Sequence, residues 1–373
     1  MASLRFDCVS RVWPGGVKAL DEVSFYLGEG ERVAVIGPSG SGKSTLARLA
    51  VGLDQPTAGV IHVDDAVSRP VIGYADVDCA LYPHMTVERN LMFRYRQVCN
   101  SHDRQFDVPE LCDVFRLNHV RARLPAQLSS GERQRVSLAR AFAAQPSMVV
   151  LDEPLSHVDP LLRADLSEVL EDAWTACNVT SLVITHDHED AIRFGQQIAV
   201  LGEGRLQQIG TAHQLMSQPA NSFVAGFFGS DRMNLLRALV EHDGVVTSDS
   251  HDPEDRTILG RLPHAATLSP GAITIGVRPT SAILGSENEA AAPTHEGLRM
   301  QLNVDTCFAI GNVLSVTGRD TSGSLWRLSL PNVEGDRSHT KISARSHILV
   351  KIAASDVFLF APGAYGRALP IRC

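Results

Sequence analysis

The chain has 373 residues, 44% of them hydrophobic and 20% charged, a length that suits two or three globular domains of roughly 150 residues each rather than a disordered polymer. Thirty-four basic against 42 acidic side chains leave a net charge of −8, the opposite of the basic footprint a duplex-binding protein carries, so nucleic acid is not an expected partner. No uninterrupted apolar run reaches about 18 residues, and Arg5 and Asp7 break the start before a signal sequence could form, so the chain is expected to be neither secreted nor membrane-spanning.

Taken in order, ERVAVIG (31–37), STLARLAVGL (44–53), SMVVLDEP (147–154), TSLVITHD (180–187) and QIAVLGEG (197–204) alternate β-branched runs with helical patterns. That alternation predicts an α/β domain on a largely parallel sheet over residues 1–229. Between about 83 and 125 the pattern becomes helical and charged, which predicts an inserted helical subdomain. From 230 to 373 strand patterns recur without helices, as in NVLSVTG (312–318), LWRLSLP (325–331) and SHILVKIAASDVFLF (346–360). Their period-two alternation predicts half-buried antiparallel strands and a second, mainly β domain, interrupted by a polar loop at 285–297. Seven cysteines without a C-x-x-C pair indicate neither a disulfide framework nor a zinc site; small buried apolar roles are expected for them.

GPSGSGKST, from Gly37 to Thr45, satisfies G-x-x-x-x-G-K-[ST] between an apolar strand and a helix. Gly37, Gly40 and Gly42, with Ser39 between them, let backbone N–H groups curl around phosphate oxygens, and the helix N-terminus adds partial positive charge. Lys43 is expected to reach the β- and γ-phosphates and Ser44 to ligate Mg²⁺. MVVLDEP delivers Asp152 and Glu153 to the carboxyl end of a buried strand, where one acid can serve Mg²⁺ and the other can activate water. His186 ends the apolar run SLVIT at a comparable place, within range of a γ-phosphate or the attacking water.

LSSGERQRVSLARA (128–141), shortly before the Asp-Glu strand, resembles the signature sequence of ATP-binding cassette ATPases. ALYPHMTV (80–87), DEPLSHVD (152–159) and ITHD (184–187) extend the resemblance over the first domain. It implies ATP and Mg²⁺ as cofactors and a head-to-tail dimer in which Ser129 and Gly131 of one copy close over ATP held by the other. It also implies that Trp13 stacks on adenine, that Thr45 supports the α-phosphate, and that Asp159 belongs to the loop crossing the dimer interface. Arg and Gln within ERQRV (132–136) are expected to stabilise the signature helix.

Three positions depart from the family pattern. Where the family's glutamine links Mg²⁺ and the lytic water to the membrane partner, counting back from Ala80 gives Val77, which can neither ligate a metal nor orient water; Asp76 or Asp78 could compensate with a carboxylate, the alternative being slower or more loosely coupled hydrolysis. Ser130 replaces a glycine, and Glu132 replaces a glutamine. Downstream, GRLQQIGTAHQLMSQPANSFVAGFFGSDRMNLL (204–236) and GVRP (276–279) resemble the junction and C-terminal OB-like domain of maltose-type importer ATPases, and Val224, Phe227 and Phe228 there read as contacts packing the two domains together.

The resemblance therefore implies an ATP-hydrolysing subunit at the cytoplasmic face of a cell membrane. Its partners would be integral-membrane permease subunits, a second copy or paired ATPase, and indirectly a solute-binding protein; its cargo would be sugars, polyols or sugar phosphates. A low-turnover regulatory cassette is the alternative that Val77 and Ser130 motivate. A non-transport cassette in DNA repair or translation fits less well, because only one phosphate loop and no sustained heptads are present.

Overall fold

The computed structural model describes residues 1–65, 70–98, 108–143, 145–156, 158–229, 231–249, 256–285, 296–331 and 342–369. The chain divides into two compact units, Met1–His213 and Gln214–Cys373. This division falls before residue 229 because the helix Ser222–Phe227 belongs to the second unit: Ala225 packs with Met233 and Phe360, and Ser222 Oγ donates to the Gly363 and Ala364 carbonyls. Val224 and Phe228 are fully buried, and the helix that carries Val224 packs on strands of its own unit.

The first unit contains, in order, β1 (Ala2–Val12), β2 (Lys18–Leu27), β3 (Arg32–Ile36), α1 (Lys43–Ala50), β4 (Ala58–Asp65) and β5 (Ile72–Ala75). There follow α2 (Val87–Val98), α3 (Val108–Val114), α4 (Ser130–Phe142), β6 (Met148–Asp152), α5 (Pro160–Cys177), β7 (Thr180–Thr185), α6 (His188–Phe194), β8 (Gln197–Gly202) and β9 (Arg205–Gly210). A six-stranded sheet runs β5-β6-β7-β3-β8-β9, parallel except for the last pair. β6 and β7 are buried along their whole length, as strands covered on both faces must be. A separate antiparallel sheet, β2-β1-β4, lies beside it, in addition to the one largely parallel sheet that the alternation predicts for the whole domain.

Two cores flank the six-stranded sheet. Met148, Val150, Leu182 and Ile184 join α1 and the antiparallel sheet in one. Val149, Leu151 and Val183 join α2 to α5 in the other, with Phe115 tilted against Phe142. The helical subdomain expected at about 83–125 is present as α2 and α3, with residues 99–107 outside the described segments; α4, the signature helix, packs into the same core.

Among the described residues the second unit carries an antiparallel sheet of ten strands. Its strands Val313–Arg319, Leu325–Pro331, His347–Ala353 and Val357–Phe360 fall where the alternation placed them, and Trp326, Leu328 and Leu330 alternate inward. Trp326 Nε1 donates to Asp320 Oδ2 at 3.0 Å, so the largest buried side chain has its polar atom satisfied. The β-rich unit agrees with the expected OB-like class, while the polar loop inside 285–297 lies mostly outside the described residues. None of the five cysteines described forms a disulfide; only Cys112 is buried and Cys8 is exposed, which corrects the expectation of small buried roles for them. Among the described residues no helix is long and apolar enough to cross a membrane.

Candidate active site

The phosphate loop joins β3 to α1. Gly42 caps the helix at φ 100°, a left-handed conformation that excludes a Cβ, and a Cβ there would also stand 2.3 Å from the Ala19 carbonyl. Gly37 is equally constrained, because its Cβ would meet the Leu201 carbonyl at 2.3 Å. Gly40 turns at φ 80° in open space, and Ser39 and Gly40 are exposed at the loop tip. Lys43 is buried and donates to the Gly37 and Pro38 carbonyls at 2.8 and 2.9 Å. Burial lowers its pKa, against the charges of Glu153 and Asp152. Ser44 and Thr45 begin the first turn of α1, and the Ser44 hydroxyl donates to Asp152 Oδ1 at 3.4 Å.

Asp152 ends β6 almost fully buried, and burial, reinforced by the adjacent Glu153 charge and opposed by the Ser44 hydrogen bond, pushes its pKa up to about 6. A hydroxyl and a buried, undercompensated carboxylate are hard oxygen donors of the kind Mg²⁺ prefers. The residues present therefore fit the metal. Tyr74, on the neighbouring strand β5, is pushed up to about 12 by burial and then by the charges of Asp152 and Asp76.

Glu153 turns the chain sharply off the strand at φ 54°, a left-handed conformation that costs a non-glycine residue about 1 kcal/mol or more and that concentrates at functional sites. Its backbone N–H donates to the Ile184 carbonyl at 2.8 Å, and its own carbonyl accepts from Ser156 Oγ at 2.8 Å. The carboxylate so placed meets His186 Nδ1 at 2.6 Å. Both line a cavity of about 400 Å³ with Thr185, Arg163, Asp190 and Val77. Val77, the residue the count back from Ala80 gives, therefore faces the cavity that Glu153 and His186 line.

The remaining expected residues lie elsewhere. Ser129 caps α4: its Oγ accepts from the Glu132 N–H at 3.2 Å, while Glu132 accepts from the Ser129 N–H at 2.7 Å. Glutamate in place of glutamine thus completes a capping box. Ser130 is exposed at the first helical position, and a Cβ on buried Gly131 would meet Leu162 of α5 at 3.3 Å. The Asp159 carbonyl accepts from the Leu162 and Arg163 N–H groups, which starts α5. Trp13 sits in the β1–β2 turn with the Arg11 guanidinium 4.4 Å over its ring. The structure brings together Lys43, Ser44, Asp152, Glu153 and His186; Ser129, Gly131, Asp159 and Trp13 are placed on separate elements.

Two residues make contacts that the sequence did not indicate. Arg163 donates to Asp190 at 2.6 Å and to Asp187 at 2.9 Å, tying the helix after Asp159 to the helix after His186. Gln134, expected only to steady its helix, donates to the Pro154 carbonyl at 2.7 Å and accepts from the Cys79 thiol. A polar residue on the inward face of an amphipathic helix was the available signal for Gln134; Arg163 gave none, since an arginine one turn into a helix is ordinarily solvated.

A strand, glycine-rich loop and helix, with two acids and a histidine at the carboxyl ends of neighbouring strands, define a P-loop nucleotide-binding protein, and the capped LSSGE helix narrows the class. Residues 20–156 match the ABC transporter family model. The sn-glycerol-3-phosphate import ATP-binding protein of Psychromonas ingrahamii is 34% identical over 286 residues, spanning 75% of this chain and 74% of that protein. The trehalose/maltose import ATP-binding protein of Thermococcus litoralis is 37% identical over 297 residues, spanning 75% and 78%. A solved ATP-binding subunit of an ABC transporter, 28% identical, superposes with a TM-score of 0.51 over 57% of this chain and 91% of that structure. The chain belongs to the ABC transporter ATP-binding proteins and is an ATPase that binds ATP.

Proposed function

We propose that two copies of this chain close head to tail on ATP and Mg²⁺ and reopen after hydrolysis, driving integral-membrane permease subunits of an importer from the cytoplasmic face of the membrane. In this reading Ser44 and Asp152 hold Mg²⁺, which shields phosphate charge when bound. Lys43 pairs with the phosphates. Glu153 takes a proton from the attacking water, and His186 fixes the orientation of the Glu153 carboxylate. Ser129, Gly131 and Asp159 close the site from the other copy, and Trp13 stacks on adenine through the face that Arg11 leaves open.

The observation that carries the importer reading is the extent of the likeness. The match to import proteins spans 75% of the chain, more than the first unit alone can supply, so it includes part of the β unit as well as the nucleotide site. The names of those relatives, with an uptake protein for diacetylchitobiose in Streptomyces coelicolor, support sugars, polyols or sugar phosphates as the cargo class, delivered by a solute-binding protein. When the chain is co-expressed with a candidate sugar permease pair and its solute-binding protein, it is expected to co-purify with the permease and to hydrolyse ATP faster when loaded binding protein is added. An active chain that binds no permease would overturn the reading.

Val77 supports a second reading, a cassette of restrained turnover. Val77→Gln, assayed for steady-state phosphate release, is expected to change the rate by less than about 3-fold. A rise of 10-fold or more would establish the restrained cassette instead, because it would show that a missing amide limits the natural chain.

A further inference from the structure

The missing glutamine leaves the cavity that Glu153 and His186 line with an apolar wall at Val77, and the residue before it lies differently. β5 and β6 run parallel in the register Ile72↔Met148 through Ala75↔Leu151. β5 ends at Ala75 and β6 at Asp152, so Asp76 directly follows the strand beside the one that Asp152 ends, and its charge is among those that raise the Asp152 pKa. Side chains alternate across a sheet with period two, and the two cores show which way: Ile72 and Tyr74 pack with Met148 and Val150 in the core that contains α1, while Ala75 packs with Leu151 in the other. Continued one residue past Ala75, that alternation puts Asp76 on the face of the sheet that Asp152 shares and α1 covers, the helix that carries Ser44. Asp76 Oδ1 accepts the Ala80 N–H at 3.3 Å, which holds the carboxylate in place within its turn and leaves Oδ2 for another donor. Asp78, two residues on, is exposed.

We propose that Asp76 takes over the role of the absent glutamine, its carboxylate orienting water in the Mg²⁺ shell held by Ser44 and Asp152. The proposal rests on the magnesium assignment above. Asp76 is placed in the outer sphere, acting through water and not as a direct ligand. Outer-sphere partners of a metal site are worth about 10- to 100-fold in metal affinity or activity. The carboxylate accepts hydrogen bonds from metal-bound water as an amide oxygen does, and its charge makes the effect depend on the metal being present.

The test uses the full chain carrying Glu153→Gln, so that ATP persists, and reads ATP affinity by calorimetry with Mg²⁺ and with EDTA. The ratio of the two dissociation constants reports how strongly metal and nucleotide support each other. Asp76→Ala is expected to reduce that ratio by about 10-fold while leaving affinity in EDTA no weaker. Asp76→Glu keeps most of the ratio, Asp78→Asn leaves it unchanged, and adding Val77→Gln to Asp76→Ala restores it. Asp152→Asn abolishes it. An unchanged ratio in Asp76→Ala beside a lost one in Asp152→Asn overturns the role of Asp76 alone. An unchanged ratio in Asp152→Asn overturns the magnesium assignment and this proposal with it. A fall in EDTA affinity equal to the fall in Mg²⁺ would show that Asp76 only supports the fold.

Discussion

Replacing Glu153 by Gln is expected to lower steady-state ATP hydrolysis by on the order of 10²–10⁴-fold, the usual contribution of a positioned general base. The amide keeps the size and shape of the side chain but cannot take a proton. The backbone that holds it, with its N–H on the Ile184 carbonyl and its carbonyl on Ser156, does not depend on the carboxylate. ATP affinity is therefore expected to stay within a few-fold of the wild type, and the loss to fall on kcat rather than KM. His186→Ala should cost less than Glu153→Gln, because in this account the imidazole, 2.6 Å from the carboxylate, orients the base and does not replace it. Equal losses in the two variants would mean that the proton goes to the histidine.

Asp152→Asn is expected to separate stability from activity. The carboxyl has an ordinary pKa of 3.8 and is pushed up to about 6 by burial in the folded chain. Between those values the folded state holds a proton that the unfolded state has released, so its stabilising effect is complete below about pH 4 and is lost as the pH rises through 6. Above pH 6 the nucleotide-free protein carries a buried charge costing up to about 3 kcal/mol, from two pKa units at 1.36 kcal/mol each. The neutral amide removes that cost. In thermal melts without nucleotide the variant should unfold above the wild type at pH 7.5, and the gap should close at pH 4. With Mg²⁺ and ATP the order should reverse, since only the carboxylate gains from the dication. A variant that melts lower at pH 7.5 without nucleotide would show that Asp152 is structurally paired rather than held for a metal.

Much of the site was legible because its chemistry depends on local order. Gly42 and Gly37 are glycines for reasons of backbone conformation and close approach, Lys43 and Ser44 follow on the first turn of a helix, and Asp152 and Glu153 end a strand whose apolar run marks it as buried. Pairings between distant segments carried no such mark. That Glu153 meets His186, that Arg163 bridges to Asp187 and Asp190, and that Gln134 reaches Pro154 are consequences of the strand order β6-β7-β3 and of how α4 to α6 pack, which no short motif encodes. The antiparallel sheet β2-β1-β4 was missed because β4 is mostly exposed and partly exposed along its length, so its alternation is weak, and because its partner strands are separated by the whole phosphate loop. The unit boundary moved from 229 to 213 for a similar reason: the helix at 222–227 resembles a continuation of the first unit in sequence and is claimed by the second through Met233 and Phe360.

The most direct measurement of the central claim is the mass of the Glu153→Gln chain in solution by light scattering, without nucleotide and with saturating Mg²⁺ and ATP. A chain whose phosphate loop and signature helix belong to opposite halves of one site should shift from one chain mass to two when ATP is added. It should fail to shift when Gly131 is also replaced by a bulky residue. A single chain mass at saturating, calorimetrically verified ATP occupancy would contradict the head-to-tail closure on which the transport cycle depends.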